Sequence, residues 1–269
     1  MMSNVKGSLY IVATPIGHLA DISLRAIEVL KNVDLIAAED TRNSKKLLNE
    51  YSIQTKMTAY HEHNEDKKSA ALLEKLSDGL TVALISDAGT PLINDPGYSL
   101  VQKAHAMGIK VVPIPGACAL ITALSSSGLA TARFSFEGFL PRTSSARRTT
   151  LEVNLKDSKT LVFYESSHRI VATLEDMLVV FGPSRKMALA RELTKTFETI
   201  VSGSVGDVLE QVQADKNMQR GEFVVLVEGV QKKGDKSAEL SDASINTLKM
   251  LLEECSLKTA VKLAVALAG

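Results

Sequence analysis

The stretch TVALISDAGTPLINDPG, Thr81 to Gly97, decides how this chain is read. Its first six residues, Thr81 to Ser86, form a short apolar run of the kind found in a buried strand. The loop that follows holds Gly89, Pro91, Pro96 and Gly97, which make it stiff and sharply turned. At about a dozen residues it is longer than the usual loop of roughly 4–6, and long ordered loops tend to carry function. Ligands of open α/β sheets bind at such strand ends. Two carboxylates sit in the loop, Asp87 and Asp95. Each is open to two readings, as a functional acid or as a turn former or helix cap.

Outward from this loop, apolar runs alternate with helical periods. On the N-terminal side lie LYIVA (Leu9 to Ala13), a helix from about Asp21 to Leu30, DLIAA (Asp34 to Ala38), a helix over Thr41 to Asn49, KMTAY and a charged helix near Glu65 to Leu76. On the C-terminal side lie a helix over Tyr98 to Met107 and a strand over Lys110 to Ile114. This alternation predicts an α/β fold with a mostly parallel sheet. After Pro115-Gly116 and the small-residue helix ACALITALSSSGLA, the pattern changes to FSFEGFL, TLVFYE, KMALARE, ETIVSGS and EFVVLVEG. Fewer helices intervene, so a second α/β domain with a mixed or antiparallel sheet is expected. The expected division is 1–118, 119–230 and a linker with a helical tail over 231–269. In that last part QKKGDKSAE (Gln231 to Glu239) reads as a charged linker and the chain from Ser241 as helical.

Composition narrows the function classes. Lys plus Arg equals Asp plus Glu at 31 each in 269 residues, so no global field attracts polyanions and any such site is a local patch. Cys118 and Cys255 lie far apart without metal-ligand spacing, and five histidines offer one close pair, His61 and His63, which reads as a solvated loop. No metal is expected. The N-terminal stretch MMSNVKGSLYIVATP lacks a long apolar run, so a cytoplasmic protein without a membrane partner is expected. No GxGxxG occurs, which removes the main support for a Rossmann dinucleotide site. Aromatics make up 4% of the chain, too few for a base-stacking platform.

Several other segments place polar or small residues at strand ends. ATPIG (13–17) is a glycine-containing turn after the first strand. PGACA (115–119) puts small side chains at a helix start, where a ligand can lie against backbone amides or where helices pack closely. LVFYESSHR carries Glu165, His168 and Arg169; ALARELTKTFE carries Arg191, Glu192, Lys195 and Glu198.

Taken in order, ATPIG, AAEDTR, SDAGTPLINDPG, PIPGACA, FYESSHR, ARELTKTFE and GEFVVLVEG resemble the tetrapyrrole-methylase superfamily from about Gly7 to Gly229, and within it the branch that methylates small-subunit ribosomal RNA. The resemblance implies a two-domain class III methyltransferase, usually a homodimer, binding S-adenosylmethionine in the cleft between its domains. It implies 2'-O-methylation of cytidine 1402 in the decoding region of 16S rRNA, within the 30S subunit. Matching segments carry the cofactor site onto Pro15, Ile16, Asp87, Ala88, Gly89, Thr90, Cys118, Ala119, Phe163, Tyr164, Ala190, Gly221 and Glu222. Tetrapyrrole methylases often have Ser or Thr where this chain has Cys118 and Ala119, and GDP where it has SDAG. Both departures weaken the alternative of C-methylation of a tetrapyrrole precursor; a non-catalytic ribosome-associated module is the other alternative. Methylation of a ribose hydroxyl needs a base or a charge for the developing alkoxide, and Glu39 or Asp40, with Glu165 and Lys195, are expected to face the acceptor. Arg42 and Arg169 are expected to hold phosphates, joined by Arg142, Arg147 and Arg148 of the flexible basic loop PRTSSARR.

Overall fold

The computed structural model describes residues 7–230 and 242–268. Its first half runs β1 (Ser8–Val12), α1 (Leu24–Asn32), β2 (Leu35–Ala38), α2 (Thr41–Glu50), β3 (Met57–Ala59), α3 (Glu65–Ser77), β4 (Val82–Ile85), α4 (Tyr98–Ala106) and β5 (Lys110–Ile114). The strands form one sheet in the order β3-β2-β4-β1-β5, with every pairing parallel. All four residues of β4 are buried, because helices cover both faces. Ile36, Ala38, Ala83 and Ile85 pack with α1 and α2; Ala37, Val82 and Leu84 pack with α3 and α4. The first helix starts later than expected. Asp21 closes a short 3-10 turn, and Ser23 is the N-cap, its hydroxyl accepting from the Ala26 amide.

The topology locates the ligand crevice. From β1 the chain moves across the sheet to β2 and β3, whereas from β4 it moves the other way, past β1, to β5. The neighbours β1 and β4 therefore flank the point where strand order reverses, and a crevice opens there beyond their C-terminal ends. ATPIG and SDAGTPLINDPG leave the sheet at this place.

The second half runs α5 (Ala119–Ser126), β6 (Phe134–Phe139), α6 (Ser144–Val153), β7 (Thr160–Ser166), α7 (Ile170–Phe181), β8 (Lys186–Arg191), β9 (Thr199–Ser204), α8 (Val205–Ala214) and β10 (Glu222–Val227). Its sheet has the order β6-β7-β10-β8-β9; β6 and β7 are parallel and the remaining pairs antiparallel. Three helices, α6, α7 and α8, cover one face through Leu151, Leu174, Met177, Val208 and Val212. The strand-rich pattern underestimated them. In α7 the buried Ile170, Thr173, Leu174, Met177 and Phe181 recur at helical spacing, but its exposed face is also apolar enough to blur the period. The opposite face of the sheet takes α5, through Leu120, Ala123 and Leu124.

The chain divides into two compact units, Met1–Gly229 and Val230–Gly269. The described part of the second consists of α9 (Asp242–Glu254) and α10 (Leu257–Ala268). The expected linker over Gln231 to Glu239 lies outside the described residues. Among the described residues no helix is long and apolar enough to cross a membrane.

Candidate functional site

Beyond β1 and β4 lies a cavity of about 320 Å³, walled on the other side by β7, β8 and β10. That volume falls at the lower end of the roughly 300–1,000 Å³ of small-molecule sites. Its floor is tied down by backbone. The Thr14 amide donates to the Gly89 carbonyl at 2.9 Å and the Gly89 amide to the Thr14 carbonyl at 3.0 Å. Gly89 adopts φ 82° there, a conformation that favours glycine. Thr90 Oγ1 donates to the Ala117 carbonyl at 3.1 Å, which fastens the long loop to the start of α5. The Leu120 amide in turn donates to the Tyr164 hydroxyl at 3.3 Å. At the seam between the two sheets Gly17 leaves no room for a side chain: a Cβ there would stand 2.6 Å from Lys195 Cγ and 2.6 Å from Thr194 Oγ1. Asn94 of the lining has left-handed backbone (70°), as do three residues next in sequence to lining residues, Leu92 (71°), Glu192 (50°) and Thr194 (61°). Such conformations persist where packing over-determines them, which is common in binding sites.

Three acidic residues line the cavity, Asp95, Glu165 and Glu222; Glu165 follows Tyr164 in β7, so its side chain turns to the other face, toward α7. Glu165 is buried; its carboxylate accepts from the Ser166 amide at 2.7 Å, from Thr173 Oγ1 at 2.8 Å and from the Arg169 guanidinium at 2.8 Å. Glu222 accepts from Lys195 Nζ at 2.7 Å, and the same ammonium reaches Glu192 at 3.0 Å. Burial pushes Asp95 up to about 6 and the Tyr164 hydroxyl up to about 12.

Of the residues expected to hold a cofactor, Ile16, Ala88, Gly89, Thr90, Cys118, Ala119, Tyr164, Ala190 and Glu222 line this one cavity, as do Glu165 and Lys195 of the expected catalytic group. Pro15, Asp87, Phe163 and Gly221 do not line it. Phe163 is a neighbour of Tyr164 in a strand, so their side chains point to opposite faces, and Phe163 belongs to the core under α7 and α8. Gly221, at φ 101°, makes space for Glu192, whose Cγ would lie 2.5 Å from an added Cβ. Asp87 knots two strand ends together, accepting from the Asp40 amide at 3.0 Å and from Asn43 Nδ2 at 3.0 Å.

The expected catalytic pair Glu39 and Asp40 also stands outside the lining. Glu39 accepts from the Asp87 amide at 3.2 Å, and burial raises its pKa. Asp40 is the N-cap of α2, and hydrogen bonds from Arg42 hold its carboxyl down to about 2, a poor base. The basic loop needs the clearest correction. PRTSSARR runs into α6, and Arg147 is 3% exposed with Nε donating to Asp176 at 2.7 Å. Arg148 reaches the same carboxylate. A guanidinium buried on a buried carboxylate is structural, so Arg147 is not free to hold a phosphate. Arg169 is committed to Glu165. Arg142 is exposed, and the Arg42 side chain, though paired with Asp40, is 89% exposed.

Several lining residues were not expected: Ile93, Asn94, Asp95, Phe139 and Leu193. The length of the loop holding three of them marks it as a functional candidate, and Asp95 is open there to both readings, functional acid and turn former or cap. Phe139 gives no signal in the sequence; its ring lies 5.9 Å from that of Tyr164.

Comparison with known proteins agrees with this geometry. Residues 8–209 match the family model of Tetrapyrrole (Corrin/Porphyrin) Methylases. A Haemophilus influenzae protein named "Ribosomal RNA small subunit methyltransferase I" is 51% identical over 268 residues, covering 100% of this chain and 94% of that protein. A Vibrio cholerae protein of the same name is 52% identical over 255 residues, 95% of this chain and 88% of that one. Among solved structures, uroporphyrin-III C-methyl transferase from Thermus thermophilus, complexed with S-adenyl homocysteine, superposes with a TM-score of 0.57 at 18% identity, over 82% of this chain and 97% of that chain. The first two are similar over most of their length, the last in fold, and the chain belongs to the tetrapyrrole (corrin/porphyrin) methylase family.

Proposed function

We propose that this chain transfers the methyl group of S-adenosylmethionine to the 2'-hydroxyl of a cytidine, cytidine 1402, in the decoding region of 16S rRNA. The observation that carries the substrate class is identity of about half over nearly the full length with proteins named for the small-subunit ribosomal RNA. The cavity supports the donor. It offers apolar contacts from Ile16, Ala119, Ala190 and Leu193, a helix start at Cys118 and Ala119 for a carboxylate, and acidic walls for a cation. When bound, S-adenosylmethionine supplies an activated methyl on a sulfonium. The protein's own task is to align the acceptor oxygen with that methyl, to keep water out and to accept a proton.

The two lobes, 1–118 and 119–230, are read as the two walls of this site. RNA would be held on its outer rim by Arg42 and Arg142, with Arg147 serving the fold instead. The acceptor in this reading is the assembled 30S subunit, and the protein acts in the cytoplasm as a homodimer. A tetrapyrrole acceptor fits less well, because a cavity of about 320 Å³ is filled by one drug-sized ligand. The test is transfer of tritiated methyl from S-adenosylmethionine to 30S subunits, to free 16S rRNA and to a porphyrinogen mixture, with mapping of ribose methylation. Label at a single ribose of the 30S decoding region is expected. Label confined to the macrocycle would sink the proposal.

A further inference from the structure

We propose that Asp95 is the proton acceptor for the attacking ribose hydroxyl, an assignment that rests on the reading of the chain as a ribose methyltransferase. Three acidic residues line the cavity, and their surroundings differ. Glu165 is enclosed by Arg169, Thr173 and the Ser166 amide, and Glu222 is paired with Lys195, which it shares with Glu192. Asp95 lines the cavity and has no ion-pair partner among the described residues. Glu39 and Asp40 do not line the cavity at all.

The structural roles open to Asp95 are filled by other residues. Helix α4 is capped by Gly97 without a side-chain hydrogen bond, so Asp95 is not its cap. The turn itself is made by Leu92 and Asn94 in left-handed backbone and by Gly97 at φ 133°, where a Cβ would stand 2.7 Å from Leu84. A tightly packed loop of this kind holds the carboxylate at the cavity with little freedom.

The groups facing Asp95 set its proton affinity. Burial raises it most; Glu39 and Asp87, approaching from the ends of β2 and β4, raise it further, and the nearby Ser86 hydroxyl opposes them. Tyr164 and Cys118 face it from β7 and the start of α5, and Lys195, Glu165 and Glu222 stand on the same cavity wall as Tyr164. An acid that titrates near neutrality is ionised at working pH and still basic enough to take a proton. In the step, the bond from O2' to the methyl carbon forms while the bond from that carbon to sulfur breaks. The electron pair stays on sulfur as a neutral thioether. The hydroxyl proton passes to an Asp95 carboxylate oxygen, which later returns it to water.

The test compares wild type with Asp95→Asn and Asp95→Glu in three measurements: single-turnover methyl transfer to 30S subunits across pH, S-adenosylmethionine affinity by calorimetry, and Tm against pH without ligand. Asp95→Asn is expected to slow transfer about 100-fold or more, while donor affinity stays within about threefold. The wild-type rate should rise with pH to a plateau with an inflection near 6, absent in Asp95→Asn. Asp95→Glu should recover part of the rate. Without ligand, Tm of Asp95→Asn minus that of wild type should grow as pH rises through about 6, since a carboxyl with raised pKa favours the fold only while protonated. Transfer by Asp95→Asn within about tenfold of wild type, with the inflection intact, would overturn the assignment. So would a loss of donor affinity above about tenfold, which would make the carboxylate part of the donor site. Failure of wild type itself to label ribose would overturn the ribose reading and this inference with it, and is recognised because it appears without any substitution.

Discussion

The two walls of the cavity use carboxylates in opposite ways. On the wall built by the second sheet, Glu165 is paired with Arg169, Glu192 and Glu222 share Lys195, and behind them Asp176 holds Arg147 and Arg148. On the wall built by the first sheet, Asp95 has no ion-pair partner among the described residues, and Asp87, just outside the lining, is served by neutral donors. Paired buried ions fix geometry and are costly to break; an unpaired carboxylate beside a cavity keeps its proton affinity available for chemistry. The same residue type therefore holds one lobe together and equips the other.

Breaking the paired wall should have the largest effects. Arg147→Met strands the buried Asp176 carboxylate with only Arg148 and Ser144, and should cost about 3–5 kcal/mol in urea unfolding. The double change Arg147→Met with Asp176→Leu should recover most of that loss, because no charge is then left buried alone. Arg169→Ala is milder, since Arg169 is partly solvated: about 2 kcal/mol, accompanied by weaker donor binding because Glu165 lines the cavity.

On the unpaired wall the sign reverses. Asp95→Asn should stabilise the protein at pH 7.5, by about 1 kcal/mol once the group's partial solvent exposure is discounted. The sign follows from the raised pKa: wild type keeps this contribution below about pH 4 and loses it as pH rises through about 6, so the gain should vanish near pH 4. Thermal melts of both proteins at the two pH values check it. Destabilisation by Asp95→Asn at pH 7.5 would erase the contrast between the walls.

The smallest stability effect belongs to Arg42→Ala, because its pair with Asp40 is on the surface: within about 1 kcal/mol. If Arg42 meets a phosphate, affinity for 30S subunits falls, and the slope of log affinity against log salt becomes shallower by about one, with donor affinity unchanged. An unchanged salt slope would remove Arg42 from the RNA surface.

Much of the site was legible because its segments are local in sequence. TPIG, SDAG and PGACA are each a strand end followed by a turn, and the family resemblance carried by these segments assigned Ile16, Gly89 and Cys118 to one cofactor site; the structure brings them to the same cavity. The alternation of a strand also contained a signal that was not used: Tyr164 and Phe163 could not both face one ligand. Arg147 was beyond local reading. Its partner Asp176 is 29 residues away, and nothing in SSARR distinguishes an arginine that enters the core from one that stays in water.

The amino-acid sequence by itself determined the order of strands and helices in the first half, the change from a parallel to a mixed sheet and the loops that leave the strand ends, because these follow from hydrophobic period and from glycine and proline backbone preferences. Tertiary structure decided which ions neutralise one another. Pairing depends on distances of a few ångströms, for Arg147 and Asp176 across 29 positions of chain, and it is pairing that separates the arginine that holds α6 to α7 from the one left on the surface, and Glu165 from Asp95.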